Sequence, residues 1–370
     1  MSLKWRTVEL KSIAEVIMGQ SPKSEFYNQN GKGMPFLQGN KTFGDKYPSF
    51  ELFTTSIKKV AEKDSVLMSV RAPVGDLNIA QEDICIGRGV CSIKMKNGYN
   101  EFLYYLLKAN ISQLINKESG TVFGSINKND IETFEVTLPT EPKDQVKLLN
   151  ILKNIDRKIE NCNSINKNLS SLSSNIFRYL INEDNIDTYL ELKDVCKFIK
   201  GKKPKEISDN YQSNFLYYLT IEALSNQNQS YAYDEKGVEA NEYDILMVMD
   251  GASSGKMFYG KNGLVGSTLA KIDVKLQYQE IIFQFLKYYE KYISDNTTGS
   301  AIPHTDKGLV LNLKCPISDK ILEYSSFFKD IRTSIIKNND EIITLQKIRD
   351  TLLPKLMSGE IDVSKINCDL

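Results

Sequence analysis

The feature that most limits what this chain can fold into is an internal duplication. Residues 9–23, ELKSIAEVIMGQSPK, align without a gap to residues 191–205, ELKDVCKFIKGKKPK, with identities at Glu9/Glu191, Leu10/Leu192, Lys11/Lys193, Ile17/Ile199, Gly19/Gly201, Pro22/Pro204 and Lys23/Lys205. A second block, DSVLMSVRAPVG from Asp64, falls on DILMVMDGASSG from Asp244 and pairs Ala72 with Ala252 and Gly75 with Gly255. A third sets GTVFGSINKNDIETFEVTLP, from Gly120, against GSAIPHTDKGLVLNLKCPI, from Gly299. Three blocks in one order, offset by about 180 residues, mean that any fold assigned to one half must hold for the other.

Each copy opens with a short amphipathic segment and a Gly/Pro loop. Runs of β-favouring apolar residues follow: SVLMSV and DILMVM, then GRGVCSIKM and VGSTLAKID, which read as buried strands. FLYYLLKANISQLI in the first copy and EIIFQFLKYYEKYI in the second read as helices. The domains are therefore mixed α/β, with a strand order the pattern does not give.

After each domain the period changes to that of a coiled coil. Leu152, Ile155, Ile159, Cys162, Asn166, Leu169, Ser173, Ile176 and Leu180 alternate in steps of three and four. At an offset of 176 the second copy gives Phe328, Ile331, Ile335, Asn338, Ile342, Leu345, Arg349, Leu352 and Leu356. Each helix of about 33 residues would span roughly 50 Å. Such a stripe needs a cover, and the connectivity provides one. The first helix ends where the second domain begins and the second helix leaves that domain, so the seams can meet antiparallel, with Asn166 and Asn338 fixing register. The expected fold class is α+β: two mixed α/β domains separated by two long helices that form an antiparallel coiled coil, in a pseudo-two-fold repeat. The boundaries drawn are 1–140 for the first domain, 141–183 for the first helix, 184–317 for the second domain, 318–358 for the second helix and 359–370 for a tail.

Composition removes several functions. With 41% hydrophobic and 25% charged residues the chain reads as globular. MSLKWRTVEL lacks the apolar stretch of a signal peptide, and no run of about 18 apolar residues occurs, so the expected location is the cytoplasm. Six cysteines without a Cys-x-x-Cys pair read as reduced and buried. One histidine, His304, leaves no Cys/His zinc site and no His-based triad. GASSGKM, residues 251–257, is one residue short of a phosphate loop, with Met257 where Ser or Thr would hold magnesium. GRG at Gly87–Gly89 lacks the third glycine of a dinucleotide fingerprint. Glu-x-Lys triplets at Glu9, Glu141 and Glu191 lack the upstream acid of a nuclease site.

What remains is loops rich in groups that read nucleic acid. Net charge is zero, so nucleic-acid affinity requires basic residues gathered on one face, and 197–205 offers five lysines without an acid. Carboxamides suit adenine, guanidinium suits guanine, and Lys, Ser and Thr suit phosphates. Candidates are Gln20, Ser21, Lys23, Gln38, Asn40, Lys41, Arg71 and Arg88 in the first copy, and Lys202, Lys203, Lys205, Thr220, Lys256, Ser267 and Thr268 in the second. No metal ligand and no catalytic residue is assigned.

PFLQGN (from Pro35), LMSVRAPVGDLNIA (from Leu67), CIGRGVCSIK (from Cys85), VGSTLAKI (from Val265) and LLPKLMSGEI (from Leu352) resemble the specificity subunit of type I restriction-modification systems, over nearly the whole chain. The resemblance implies two target-recognition domains that each read half of a split, asymmetric target in double-stranded DNA, with the paired helices as a ruler. It also implies docking of two adenine methyltransferase subunits and a motor-nuclease restriction subunit. S-adenosylmethionine, ATP and magnesium would then sit on those partners, and this chain would be a non-catalytic subunit with no cofactor and no membrane contact. The family's acidic-Gln pair after Leu-Pro is present as Asp144-Gln145 behind Leu138-Pro139; the second copy has Pro316 and Ser318-Asp319 instead. Two rivals stand beside this reading: an enzyme that cleaves or methylates DNA by itself, and a stand-alone coiled-coil adaptor or DNA-binding module without restriction partners.

Overall fold

The computed structural model describes residues 3–116, 124–183, 186, 188–225, 229–299 and 301–363. Residues 120–123 and Ser300 of the third repeat block, and Cys368, lie outside them. The chain divides into two compact units, Met1–Lys158 with Leu345–Leu370 and Ile159–Thr344, so each unit holds one domain and a stretch of both long helices.

The duplication is carried through every sheet. In unit 1 a four-stranded antiparallel sheet runs in the order Ala14–Met18, Val90–Met95, Val66–Ser69, Leu77–Ile79, and in unit 2 its counterpart runs Cys196–Lys200, Leu269–Val274, Ile245–Val248, Met257–Tyr259. Each unit adds a five-stranded sheet with one parallel pair, Met34–Leu37 beside Ile84–Ile86 and Leu216–Leu219 beside Gly263–Val265. A two-stranded ribbon closes each domain, Trp5–Glu9 with Glu135–Pro139 and Tyr189–Glu191 with Lys314–Pro316.

The unbroken apolar runs read as strands because both of their faces are covered. Val66 and Met68 join the core formed with the helices, whereas Leu67 joins the core against the five-stranded sheet. Ile245 and Met247 divide from Leu246 and Val248 in the same way. The first-copy helix occupies Asn100–Asn116, while the second-copy segment breaks at Tyr289 into Gln279–Tyr288 and Glu290–Asp295. At that break Glu290 turns aside to accept the Met257 backbone N–H at 2.8 Å. The third block starts its short helix with a capping box in which Asn127 and Asp130 each accept the other's backbone N–H. Replacing Asn127 with Ala is expected to cost about 1 kcal/mol of unit 1 stability, read from the urea midpoint at unchanged slope.

The first long helix runs Pro142–Glu183, 42 residues, and the second Ser325–Met357, 33 residues. The first begins earlier than its seam because Pro142 occupies the opening position, where its missing N–H costs nothing. Gln145 ties that start to the domain by donating to the Pro139 carbonyl at 2.9 Å, and in unit 2 the Ser318 hydroxyl accepts the Ile321 N–H at 3.2 Å instead. Within each unit the two helices pair antiparallel. In unit 1 Leu152 is buried in one core with Leu353, Leu356 and Met357, and Arg349 reaches Asp156 at 3.0 Å. In unit 2 the Cys162 thiol faces the Glu341 carboxylate at 3.8 Å, and Phe177 packs edge-on to Phe328 at 6.3 Å. Asn166 accepts from Asn338 at 2.7 Å and donates to Asn339 at 2.9 Å, so the polar core position is satisfied in this register. Of the other seam positions Ile159, Leu180, Ile331 and Ile342 are buried, and Ile155, Leu169, Ile176, Ile335, Leu345 and Leu352 are half-buried.

Candidate nucleic-acid interface

Three loops of unit 1 are pressed together at one end of its sheets by backbone hydrogen bonds. Gly19 donates to Val90 at 3.0 Å, Gln20 to Ile86 at 2.9 Å, Gly87 to Leu37 at 2.8 Å and Gly89 to Gln38 at 3.1 Å. The approach needs glycine: a Cβ on Gly19 would stand 2.1 Å from the Gly87 carbonyl oxygen. Val70 donates to Gly89 at 2.9 Å, which brings the turn carrying Arg71 to the same rim. The Ser21 hydroxyl accepts the Arg88 N–H at 3.1 Å, and Asn40 donates to the Asp76 carboxylate, so both side chains brace the loops. Gln20, Gln38, Arg71 and Arg88 are exposed there, and neither guanidinium has an ion-pair partner among the described residues. Lys23 and Lys41 are paired with Glu25 at 3.8 Å and Glu51 at 2.9 Å.

Unit 2 repeats the construction with other side chains. Gly201 donates to Leu269 at 2.9 Å, Lys202 to Val265 at 3.1 Å, Gly266 to Leu219 at 2.9 Å and Met249 to Thr268 at 2.8 Å. A Cβ on Gly201 would meet the Gly266 carbonyl oxygen at 2.2 Å, the same squeeze as at Gly19. Lys202, Lys203 and Lys205 are exposed and Ser267 and Thr268 form the adjoining turn. Thr220 accepts the Ala223 N–H at 3.2 Å as a helix cap, and the Lys256 ammonium sits 5.0 Å from the Phe258 ring centre. GASSGK joins two antiparallel strands, Ile245–Val248 and Met257–Tyr259, rather than a strand and a helix.

Sequence reasoning passed over a charged group at this rim. Asp250 lies 2.9 Å from the Lys200 ammonium and 2.7 Å from His304 Nδ1. Partial burial raises its carboxyl pKa, but the hydrogen bonds from His304 and Lys200 and the lysine's charge outweigh burial and hold it below the usual carboxylate range. Asp250 and Arg71 sit in equivalent places, since each makes the bridge to the segment that closes the domain, Arg71 with Ser125 and Asp250 with His304. The gapless alignment hid this, because the turn that follows is one residue longer in unit 2: Gly75 donates to Ser69, and Gly255 to Val248.

The five described cysteines are buried and form no disulfide with one another, and burial pushes the Cys91 and Cys196 thiols up to about 12, which leaves them as protonated packing groups at neutral pH. Among the described residues no cluster of three or more His, Cys, Asp or Glu could hold a metal ion, and no helix is long and apolar enough to cross a membrane.

Two copies of one domain, each followed by a long helix, are also what a known family looks like. The family described as "Type I restriction modification DNA specificity domain" matches residues 2–171 and 188–345, one match on each copy. The chain belongs to this family. It is 42% identical over 160 residues to the putative type I restriction enzyme MjaX specificity subunit of Methanocaldococcus jannaschii, an alignment covering 42% of this chain and 37% of that one. The MjaIX specificity subunit of the same organism is 22% identical over 412 residues, covering 98% of this chain and 94% of the relative. The chain thus spans about two fifths of the first of these relatives and nearly all of the second. In three dimensions it is similar to the type I restriction-modification S subunit from M. genitalium, with a TM-score of 0.58 at 19% identity over 96% of both chains, a likeness of fold.

Proposed function

We propose that this chain is the DNA-reading subunit of a type I restriction-modification complex: each domain recognises one part of a two-part, unequal target, and the long helices set the gap between the parts. The observation that carries this reading is the pair of rims just described. Four backbone bonds have counterparts, those donated by Gly19 and Gly201, Gln20 and Lys202, Gly87 and Gly266, and Val70 and Met249, yet the side chains at matching positions differ: Gln20 corresponds to Lys202, Ser21 to Lys203, Gln38 to Thr220, Arg71 to Asp250 and Arg88 to Ser267. A scaffold conserved between copies with unlike groups on it is what two readers of different sequences require.

On this reading lysines and backbone amides engage phosphates and set register, while Gln38, Arg71 and Arg88 contact base edges in the first half-site. Chemistry belongs to docked adenine methyltransferase and motor-nuclease subunits, which carry S-adenosylmethionine, ATP and magnesium, and the methyltransferase swings its target adenine out of the duplex held in place by this chain.

The test pairs the purified chain with its adenine methyltransferase and maps methylated adenines across a genome. A two-part motif with a fixed gap is expected. Inserting one heptad into the first long helix should change the gap and leave both half-sites as they were. A continuous motif, or an unchanged gap with full activity, would show that the helices are not a ruler.

A further inference from the structure

The two copies differ in one place where neither loop length nor fold requires it. Aligning helix Asn100–Asn116 with Gln279–Tyr288 sets Glu101 on Glu280, Tyr104 on Phe283 and Tyr105 on Gln284, and the seam offset sets Asp156 on Arg332 and Ser173 on Arg349. In unit 1 charged and phenolic groups meet between domain and helices: Arg349 reaches Asp156 at 3.0 Å, and the Tyr105 hydroxyl donates to the same carboxylate. Unit 2 puts Ser173 where the arginine stands and Gln284 where the tyrosine stands. It contains there a cavity of about 360 Å³, within the size range of small-molecule sites.

The lining states what would occupy it. Ser173 is 3% exposed and its hydroxyl has no hydrogen-bond partner among the described residues. Gln284, equally buried, donates to the Tyr259 hydroxyl at 3.2 Å, and the Asn339 carboxamide lies on the opposite, helical wall. These groups bond an edge that carries both donors and acceptors. The flat walls are aromatic: Tyr259 and Phe283 stack at 3.7 Å with 18° between their planes, and Tyr217 lines the far side.

Charge excludes an ionic occupant. Arg332, the residue in Asp156's place, is paired with the Glu280 carboxylate, and neither group belongs to the lining. The charged residues of the lining balance, Lys261 and Lys287 against Glu242 and Asp340, and Lys287 is held by Glu290 at 2.6 Å. We infer that this cavity is a binding site for an uncharged planar nitrogen heterocycle of nucleoside size, stacked on the Tyr259–Phe283 wall and bonded at its edge by Ser173, Gln284 and Asn339. None of its lining residues is among the rim residues proposed to read DNA, so it can fail while that reading stands, and the reverse.

The experiment titrates the full chain with adenosine by isothermal calorimetry and by ligand-observed NMR, with indole as a planar probe that has a single donor and no comparable edge. Adenosine should bind with a dissociation constant below about 1 mM and more tightly than indole, and show ring contacts to Phe283 and Tyr259. Ser173→Leu, which fills the cavity from the helix side, should abolish binding without lowering the thermal midpoint; Gln284→Leu should weaken adenosine about tenfold or more and leave indole unchanged. Excess duplex DNA leaves adenosine bound if the occupant is a free molecule and displaces it if the occupant is a base of the bound DNA. Absence of binding at several millimolar, binding that survives Ser173→Leu, or equal affinity for indole would overturn the inference, the first by showing a cavity that holds only water.

Discussion

Replacing Arg332 with Leu will destabilise unit 2 by about 3–5 kcal/mol, because it strands a buried carboxylate. Arg332 and Glu280 are 2% and 5% exposed and form an ion pair across the boundary between the second long helix and the domain. The guanidinium also donates to the Tyr243 carbonyl at 3.1 Å and covers the Tyr243 ring at 4.9 Å, so its loss removes bonds and packing together. Burial raises the Glu280 pKa and the neighbouring Arg332 and Lys329 charges pull it back only in part. A carboxyl raised in the folded state contributes stability that is present below its unfolded pKa and lost as pH rises through the folded value. Without Arg332 the folded value rises further, so the deficit of the variant should shrink as the solution is acidified. The double variant Arg332→Met, Glu280→Leu should recover most of the loss at all pH values, since an apolar pair of similar volume costs little.

The two units can be watched separately in this experiment. The single tryptophan, Trp5, belongs to unit 1, where it packs against Gly359. Urea unfolding followed by circular dichroism should therefore show an early step in Arg332→Leu that tryptophan fluorescence does not. A loss below about 1 kcal/mol, or a double variant as unstable as the single one, would mean that the pair is not what holds the second domain to its helices.

The parts of this fold that were legible in the sequence are those written in local period. Heptads announced the helices, and strands covered on both faces announced themselves as unbroken apolar runs at Val66–Ser69 and Ile245–Val248. Two-residue strands such as Phe53–Thr54 and Val60–Ala61 have no period to read, and the parallel pairing of Met34–Leu37 with Ile84–Ile86 joins segments almost fifty residues apart, so strand order stayed hidden. The rim shows the same division. Residue type pointed to Gln20, Gln38 and Arg88, but the bonds that gather them are between backbone groups and leave no trace in composition. Type alone also could not tell that Thr220 caps a helix or that Lys41 meets Glu51, and the slip of one residue after Asp250 concealed its equivalence to Arg71. Arg349 was visible as a charge at a seam position, yet its acid, Asp156, sits outside the seam and became evident only in three dimensions.

The proposed division of labour at the rims makes the second large prediction, because phosphate contacts and base contacts fail differently. Changing Lys202, Lys203 and Lys205 to Gln should weaken binding on every duplex alike. The slope of log K against log salt should fall by about 0.9 for each phosphate contact removed, roughly 2–3 in total. Arg88→Ala in unit 1 should instead leave the slope nearly unchanged and relax discrimination at one base pair of one half-site, by about 1–3 kcal/mol, or roughly 5- to 150-fold. Both variants keep their loops in place, since the Arg88 backbone N–H still reaches Ser21 and the Gly201 bond to Leu269 involves no side chain. The assay is competition between the methylation-mapped duplex and single-base variants of each half-site, with methyltransferase bound, across a salt series. If Arg88→Ala loosened the half-site governed by unit 2, or if the lysine variant lost sequence discrimination while keeping its salt slope, the assignment of readers to rims would be wrong. On the proposed assignment Arg88→Ala reports on one half of the target alone while the lysine variant acts on every sequence, and a reader with two identical halves could not produce the one-sided effect of Arg88→Ala.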